Sequence, residues 1–481
     1  MSITTNAKNV RVIARLDVKG PNVVKGIHLE GLRVVGKPAE LARQYYEQGA
    51  DEILYIDIVA SLYERNNLQD IVKEAISLGV FVPMTVGGGV RSVEDIRKLL
   101  MAGADKVAIN TAATRNPELI TKAAKIFGAQ CIVGSIEAKR SEDGKSWEAY
   151  IDNGRERTNK DAIEWAKELV KLGAGELLIT SVDNEGVQKG FDNELIEKIT
   201  SQVNVPVIAG GGAGSPKDIT KCIKSTKCDA IAIASILHYK KSTIKDIKEA
   251  IAKENLPVRP FTNHQEKSPA ANAPTISIID YGVGNIMSVI SGFKKVGCNV
   301  KVISTPEELK AAHHLVLPGV GAFEDGMKGL RERNLIVPLQ EHVKTNKPLL
   351  GICLGSQLLM SESEEFGKHQ GLNLIPGSVI KFRSKEIRIP HICWNQVVQQ
   401  SSEKWNSTIF NSMSNNFEAY FIHSYCMVPK DKNTILATTT YGQETFCSAI
   451  KMNNIYGCQF HPEKSGAMGL AILNHFAQEV K

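Results

Sequence analysis

Two stretches of this chain are versions of one another. VPMTVGGGVRSVEDIRKLLMAGADKVAINTAA aligns with VPVIAGGGAGSPKDITKCIKSTKCDAIAIASI, which sets Gly88 against Gly211, 123 residues on, and Asp105 against Asp229, 124 on. Glu52 in ADEILYID likewise matches Glu176 in AGELLITS at a separation of 124. Each copy reads as a strand, a glycine triplet, a helix and a further strand, so residues 1–260 are constrained to be two related halves. Eight short apolar runs supply the strands: VRVIARLDV, DEILYIDIV, FVPMTV, KVAIN, CIVGSIEA, ELLITSVD, VPVIAGG and AIAIAS. Most precede an amphipathic stretch, which is the strand and helix count of a (β/α)8 barrel of about 250 residues.

The full 481 residues exceed one such barrel, and FTNHQEKSPAANAP, residues 261–274, breaks the pattern with Pro, Ala, Asn and no apolar periodicity. It reads as a linker, and about 15 flexible residues reach only roughly 20 Å, so the second α/β domain, 275–481, is held close to the barrel. With 43% hydrophobic and 23% charged residues both parts can bury full cores. The net charge of +6 is spread among acids, which excludes a nucleic-acid stripe. No apolar run reaches membrane length and MSITTNAKNVRV has no apolar signal core, so a cytoplasmic protein is expected. Nine irregularly spaced cysteines without a CxxC pair argue for a reducing compartment and against a zinc site or disulfide framework.

The repeat carries chemistry. In each half a glycine triplet ends one strand (Gly87, Gly88 and Gly89; Gly210, Gly211 and Gly212) and a small turn ends the next (Asn110 and Thr111; Ala234 and Ser235). Such turns let backbone N–H groups approach an anion, so two of them predict a ligand with a phosphate at each end. Asp17 and Glu137 close strands one and five on opposite sides of the barrel mouth, with Asp57 nearby, which suits acid–base work on a ligand stretched between the phosphates. Arg11, Glu52, Lys106 and Glu176 fall at strand starts and are expected to ring the opposite end.

In the second half, Gly351-Ile352-Cys353-Leu354-Gly355 joins an apolar strand to a helix. Flanking glycines permit the strained turn that presents a nucleophile, and a helix start favours a thiolate. His461 and Glu463, two residues apart, supply a base and a group to orient it. DYGVGN lacks the third glycine of a dinucleotide fingerprint, Met287 standing there, so no nicotinamide cofactor is expected. No cofactor or metal is implied elsewhere.

With these residues in place, the C-terminal half resembles a class I glutamine amidotransferase, in particular the glutaminase subunit of the imidazole glycerol phosphate synthases. DYGVGN, LPGVGAF, GICLGSQ, PHICWN, FIHSY and QFHPEKS carry the likeness. The barrel resembles the cyclase subunit of the same family through LDVK, VVKG, TVGGGV, GADKVAINTAA, EAKR and ITSVD. The resemblance implies that glutamine is hydrolysed at one site. The ammonia would then be used at the other to convert a bisphosphorylated ribotide to imidazole glycerol phosphate and aminoimidazole carboxamide ribotide. It further implies an oxyanion strand at Gly319 to Gly321 and glutamine contacts at Gln357 and Glu365. In the barrel it implies Lys25 on a mobile first loop and substrate contacts at Asp183 and Gly186. It implies that the strand-start charges gate ammonia, and that Asp105 and Lys464 dock the two sites in line. Four residues depart from the family pattern: Glu137 for Asp, Gly210 for Ser, Cys393 for Gly and Ser356 for Met. The domain order is also the reverse of the known eukaryotic fusion. An alternative reading keeps the amidotransferase but gives the barrel another phosphorylated acceptor, as in surface-sugar synthesis.

Overall fold

A computed structural model describes residues 8–60, 68–261, 274–400, 405–478 and 480. Eight parallel strands close the barrel: β1 (Arg11–Lys19), β2 (Glu52–Asp57), β3 (Met84–Gly87), β4 (Lys106–Ile109), β5 (Ile132–Arg140), β6 (Glu176–Ser181), β7 (Val207–Gly210) and β8 (Ala230–Ile233). Each pairs with the next, β5 pairs with β6 through Thr180 opposite Glu137, and β8 closes on β1 through Arg11 opposite Ala230. The helices after β3 and β7 start alike. Ser92 accepts the N–H of Asp95 and Ser215 that of Asp218, so the S-x-x-D cap recurs with the repeat.

Because side chains alternate along a strand, every second residue of each strand fills the interior. Three layers result. Arg11, Glu52, Lys106 and Glu176 form a fully buried floor. Above it lies an apolar cluster of Ile13, Leu54, Ala108, Val133, Leu178, Ile208, Ala230 and Ala232. Arg15, Asp17, Glu137 and Thr180 come next along the same strands, at the mouth.

The second part has five parallel strands in the order Asn299–Ile303, Thr275–Ile279, His314–Leu317, Leu349–Ile352, Ile455–Cys458, continued by antiparallel strands. It packs on the floor end of the barrel, where Ile392, Trp394, Tyr420 and Ile422 join the barrel's hydrophobic core. Three aspartates placed just before barrel strands are among its polar contacts. Asp105 meets Lys464 at 2.8 Å and Asn285 at 3.2 Å. Asp229 pairs with Arg388, and the Asp51 carbonyl accepts from the Trp394 indole at 3.0 Å. The linker residues 262–273 lie outside the described residues. No helix among those described is long and apolar enough to cross a membrane.

Candidate functional site

Cys353 sits at the end of the strand Leu349–Ile352 with φ 50° and ψ −107°, a region that non-glycine residues occupy only when their surroundings impose it. The surroundings are tight. A Cβ on Gly355 would lie 1.7 Å from the Leu317 carbonyl oxygen, so only glycine lets this turn approach the neighbouring strand. The buried Cys353 thiol faces the Gln459 amide at 3.8 Å and the Ile422 carbonyl at 3.9 Å. His461 Nδ1 is 2.7 Å from Glu463 Oε1, and its Nε2 meets no hydrogen-bond geometry with another described residue. Burial by itself would lower the imidazole pKa. The charges of Cys353 and Glu463 outweigh it and hold the pKa well above the usual value. The thiol, imidazole and carboxylate that the sequence singles out thus lie together.

The residues around them divide. Gln357 donates from its amide to the Tyr425 carbonyl at 2.9 Å, and Glu365 accepts the Phe323 N–H at 2.7 Å. Burial pushes the Glu365 carboxyl up to about 7. Gly321 takes φ 145° beside Val283. The Leu354 N–H, next in sequence to the nucleophile, donates to the Gly319 carbonyl at 3.3 Å. One donor that a developing oxyanion would use is therefore occupied here.

At the barrel mouth a cavity of about 270 Å³ is lined by Asp57, Gly88, Gly89, Asn110, Thr111 and Glu137 together with Ser135 and Asn153. The first glycine triplet thus opens into it. Asp57 turns back on its own loop and accepts the Val59 N–H at 3.0 Å. The second triplet does not line this cavity. Gly211 and Gly212 are roofed by the segment after β6: a Cβ on Gly212 would lie 2.1 Å from the Gly190 carbonyl, and the Gly190 N–H donates to Gly212. Ser235 is buried at the start of a four-residue helix that follows Ala234.

One expectation is corrected here, and two further residues are placed. Lys25 is not on a loop. It lies on a strand, Asn22–Ile27, of a hairpin with Glu30–Gly36, and its buried ammonium holds Asp17 at 2.7 Å and also Glu185. Asp183 is exposed and accepts the Arg140 N–H at 2.8 Å. Glu185, two residues on, is the buried acid instead. Gly186 contributes by close packing: a Cβ there would lie 2.2 Å from the Gly26 carbonyl of the hairpin.

Sequence reasoning also missed Arg15. It bonds Asp17 at 2.8 Å and reaches across to Thr180 on β6 at 2.9 Å. Its place two residues before Asp17 on an inward-facing strand was the available signal. Both Asp17 oxygens are consequently held by cations. Burial would raise its pKa, but Arg15 and Lys25 outweigh burial and keep it well below the carboxylate range. Glu137 differs. It accepts one backbone N–H, from Gly154 at 2.8 Å, and burial raises its pKa to about 7.

At the floor, Arg11 bonds Glu52 at 2.7 Å and also Glu176, while Lys106 reaches both carboxylates at 2.5 Å. The expected ring is a closed quartet of alternating charge. Tyr420, unforeseen, lies buried among these charges with an unpartnered hydroxyl, two residues before the Ile422 carbonyl that faces the thiol.

The family described as histidine biosynthesis protein matches residues 11–243, and that described as glutamine amidotransferase class-I matches 277–480. Imidazole glycerol phosphate synthase subunit HisF of Legionella pneumophila is 62% identical over 206 residues, which is 43% of this chain and 96% of that protein. The same subunit of Lactococcus lactis subsp. cremoris strain SK11 is 48% identical over 249 residues, 52% of this chain and 96% of its own. That of Methanopyrus kandleri is 48% identical over 266 residues, 52% and 97% respectively.

Proposed function

Because the chain belongs to the imidazole glycerol phosphate synthase subunit HisF family over its barrel and carries a class I glutamine amidotransferase domain after it, we propose that it is a complete glutamine-dependent imidazole glycerol phosphate synthase in one polypeptide. The observation that carries this reading is the stacking of the two sites on one axis. The strand Asn416–His423 places Ile422 at the Cys353 thiol and Tyr420 at the barrel floor, whose interior leads to Glu137.

In the second domain the Cys353 sulfur attacks the amide carbon of glutamine. His461 delivers a proton to the departing ammonia and then takes one from the water that hydrolyses the thioester, while Glu463 fixes the imidazole through Nδ1. Turning the Gly319 carbonyl away frees the Leu354 N–H for the oxyanion. Gln357 and Glu365 border the glutamine. Ammonia, being neutral, can cross the apolar layer, whereas ammonium would bear the cost of desolvation there. The charged quartet stands as the gate between the two sites. At the mouth Asn110, Thr111, Gly88 and Gly89 take one phosphate of the ribotide. Gly211, Gly212, Ala234 and Ser235 take the other once the roof of residues 186–190 moves, and Glu137 and Asp17 flank the reacting carbon. All nine cysteines are unpaired, which supports action in the cytoplasm.

One observation favours a second reading. Only the first glycine triplet lines the open cavity, which would suit an acceptor with a single phosphate, such as a sugar precursor. Complementation decides between them. The chain is expected to restore growth without histidine to a bacterium lacking both subunits. Failure to do so, with glutamine hydrolysis intact, favours the second acceptor.

A further inference from the structure

Asn153 is more than nine-tenths buried, lines the barrel cavity, and its side-chain amide Nδ2 has no hydrogen-bond partner among the described residues. Leaving such a donor dry costs free energy on the order of 1–3 kcal/mol, so a residue of this kind calls for a reason. Its backbone adds to the cost. Asp152, Asn153 and Gly154 are consecutively left-handed, at φ 50°, 61° and 72°. The turn they make is tied at both ends to groups of the site. Asp152 donates its N–H to Thr111 at 3.2 Å and pairs with Arg115 at 2.9 Å, next to the first glycine triplet. Gly154 donates its N–H to Glu137. Asn153 therefore stands between the phosphate cradle and the mouth carboxylate, with a free donor.

We propose that Asn153 is a substrate-contacting residue of the barrel, donating from Nδ2 to an oxygen of the acceptor that lies between its phosphate and the atom next to Glu137. The inference rests on the functional reading above only in that a phosphorylated sugar is bound. A ribotide offers its ribose hydroxyls at that distance from the phosphate, and a hydroxyl both accepts this bond and tolerates Glu137 beyond it.

The test compares two probes on the full chain by calorimetry, inorganic phosphate and ribose 5-phosphate, in wild type and Asn153→Gly. Glycine accepts the left-handed backbone without strain, so the variant should melt at or above the wild-type temperature. Ribose 5-phosphate should bind at least about tenfold more weakly to the variant, while inorganic phosphate binds both alike. Equal ribose 5-phosphate affinities, equal weakening of both probes, or no binding of ribose 5-phosphate by the wild type would overturn the assignment. Turnover of the ribotide by the wild type is a separate measurement and decides only the functional reading.

Discussion

Among single residues, the Cys353 thiol and the Glu365 carboxyl each carry a prediction. Cys353→Ala should abolish glutamine-dependent product formation while leaving turnover with added ammonium salt, because the barrel then draws its nitrogen from solution. Residual glutamine hydrolysis in a kinetic assay of that variant would contradict the assignment. Glu365 makes a different kind of prediction. Its folded pKa of about 7 exceeds the 4.5 of an ordinary glutamate, so the unfolded chain holds fewer protons between those values. Stability from this group is therefore full below pH 4.5 and lost as pH rises to 7, by ~3 kcal/mol at most. Glu365→Gln should flatten that part of the urea-unfolding profile, and an unchanged slope would count against the raised pKa. Individual roles were legible to different degrees. That Cys353, His461 and Glu463 lie together could be read, because a glycine-flanked cysteine and an H-x-E motif are rare local patterns. Arg15 and Glu185 could not, because their importance comes from meeting across the barrel at Asp17 and Lys25.

At the scale of elements, the tightest constraint is the turn after the strand Leu349–Ile352. Gly355→Ala would drive a methyl group into the Leu317 carbonyl oxygen, and overpacking of this order costs about 1–3 kcal/mol. Differential scanning calorimetry should show a lowered melting temperature, accompanied by loss of glutaminase activity as the elbow shifts. A fully active, equally stable variant would mean that the turn can relax. The barrel strands were legible from apolar runs and from the repeat, since burial on both faces writes a continuous hydrophobic signature. The hairpin of residues 22–36 was not. Its second strand is largely exposed and Lys25 is charged, and what folds it down is the buried pairing of Lys25 with Asp17 and Glu185, a tertiary interaction.

In the whole molecule, the Cys353 thiol lies beneath the floor of a layered barrel whose mouth holds Glu137. The polar contacts of Asp105 with Lys464 and of Asp229 with Arg388 hold the amidotransferase under the floor, where the nucleophile and the quartet come within one strand of each other. Close docking was expected from the short linker, and the meeting of Asp105 with Lys464 from the family resemblance. The packing of Trp394 and Tyr420 into the interface was not, because nothing in one domain's local pattern tells which surface the other will cover. Passage of nitrogen through the inside of the protein is open to a competition experiment. With amide-labelled glutamine supplied against excess unlabelled ammonium at a pH where free ammonia is scarce, the account predicts that product keeps the glutamine label. It further predicts that Arg11→Ala and Lys464→Ala, which open the floor or loosen the docking, dilute the label. Product from the wild type whose label matches the ammonium pool of the medium would contradict the channel.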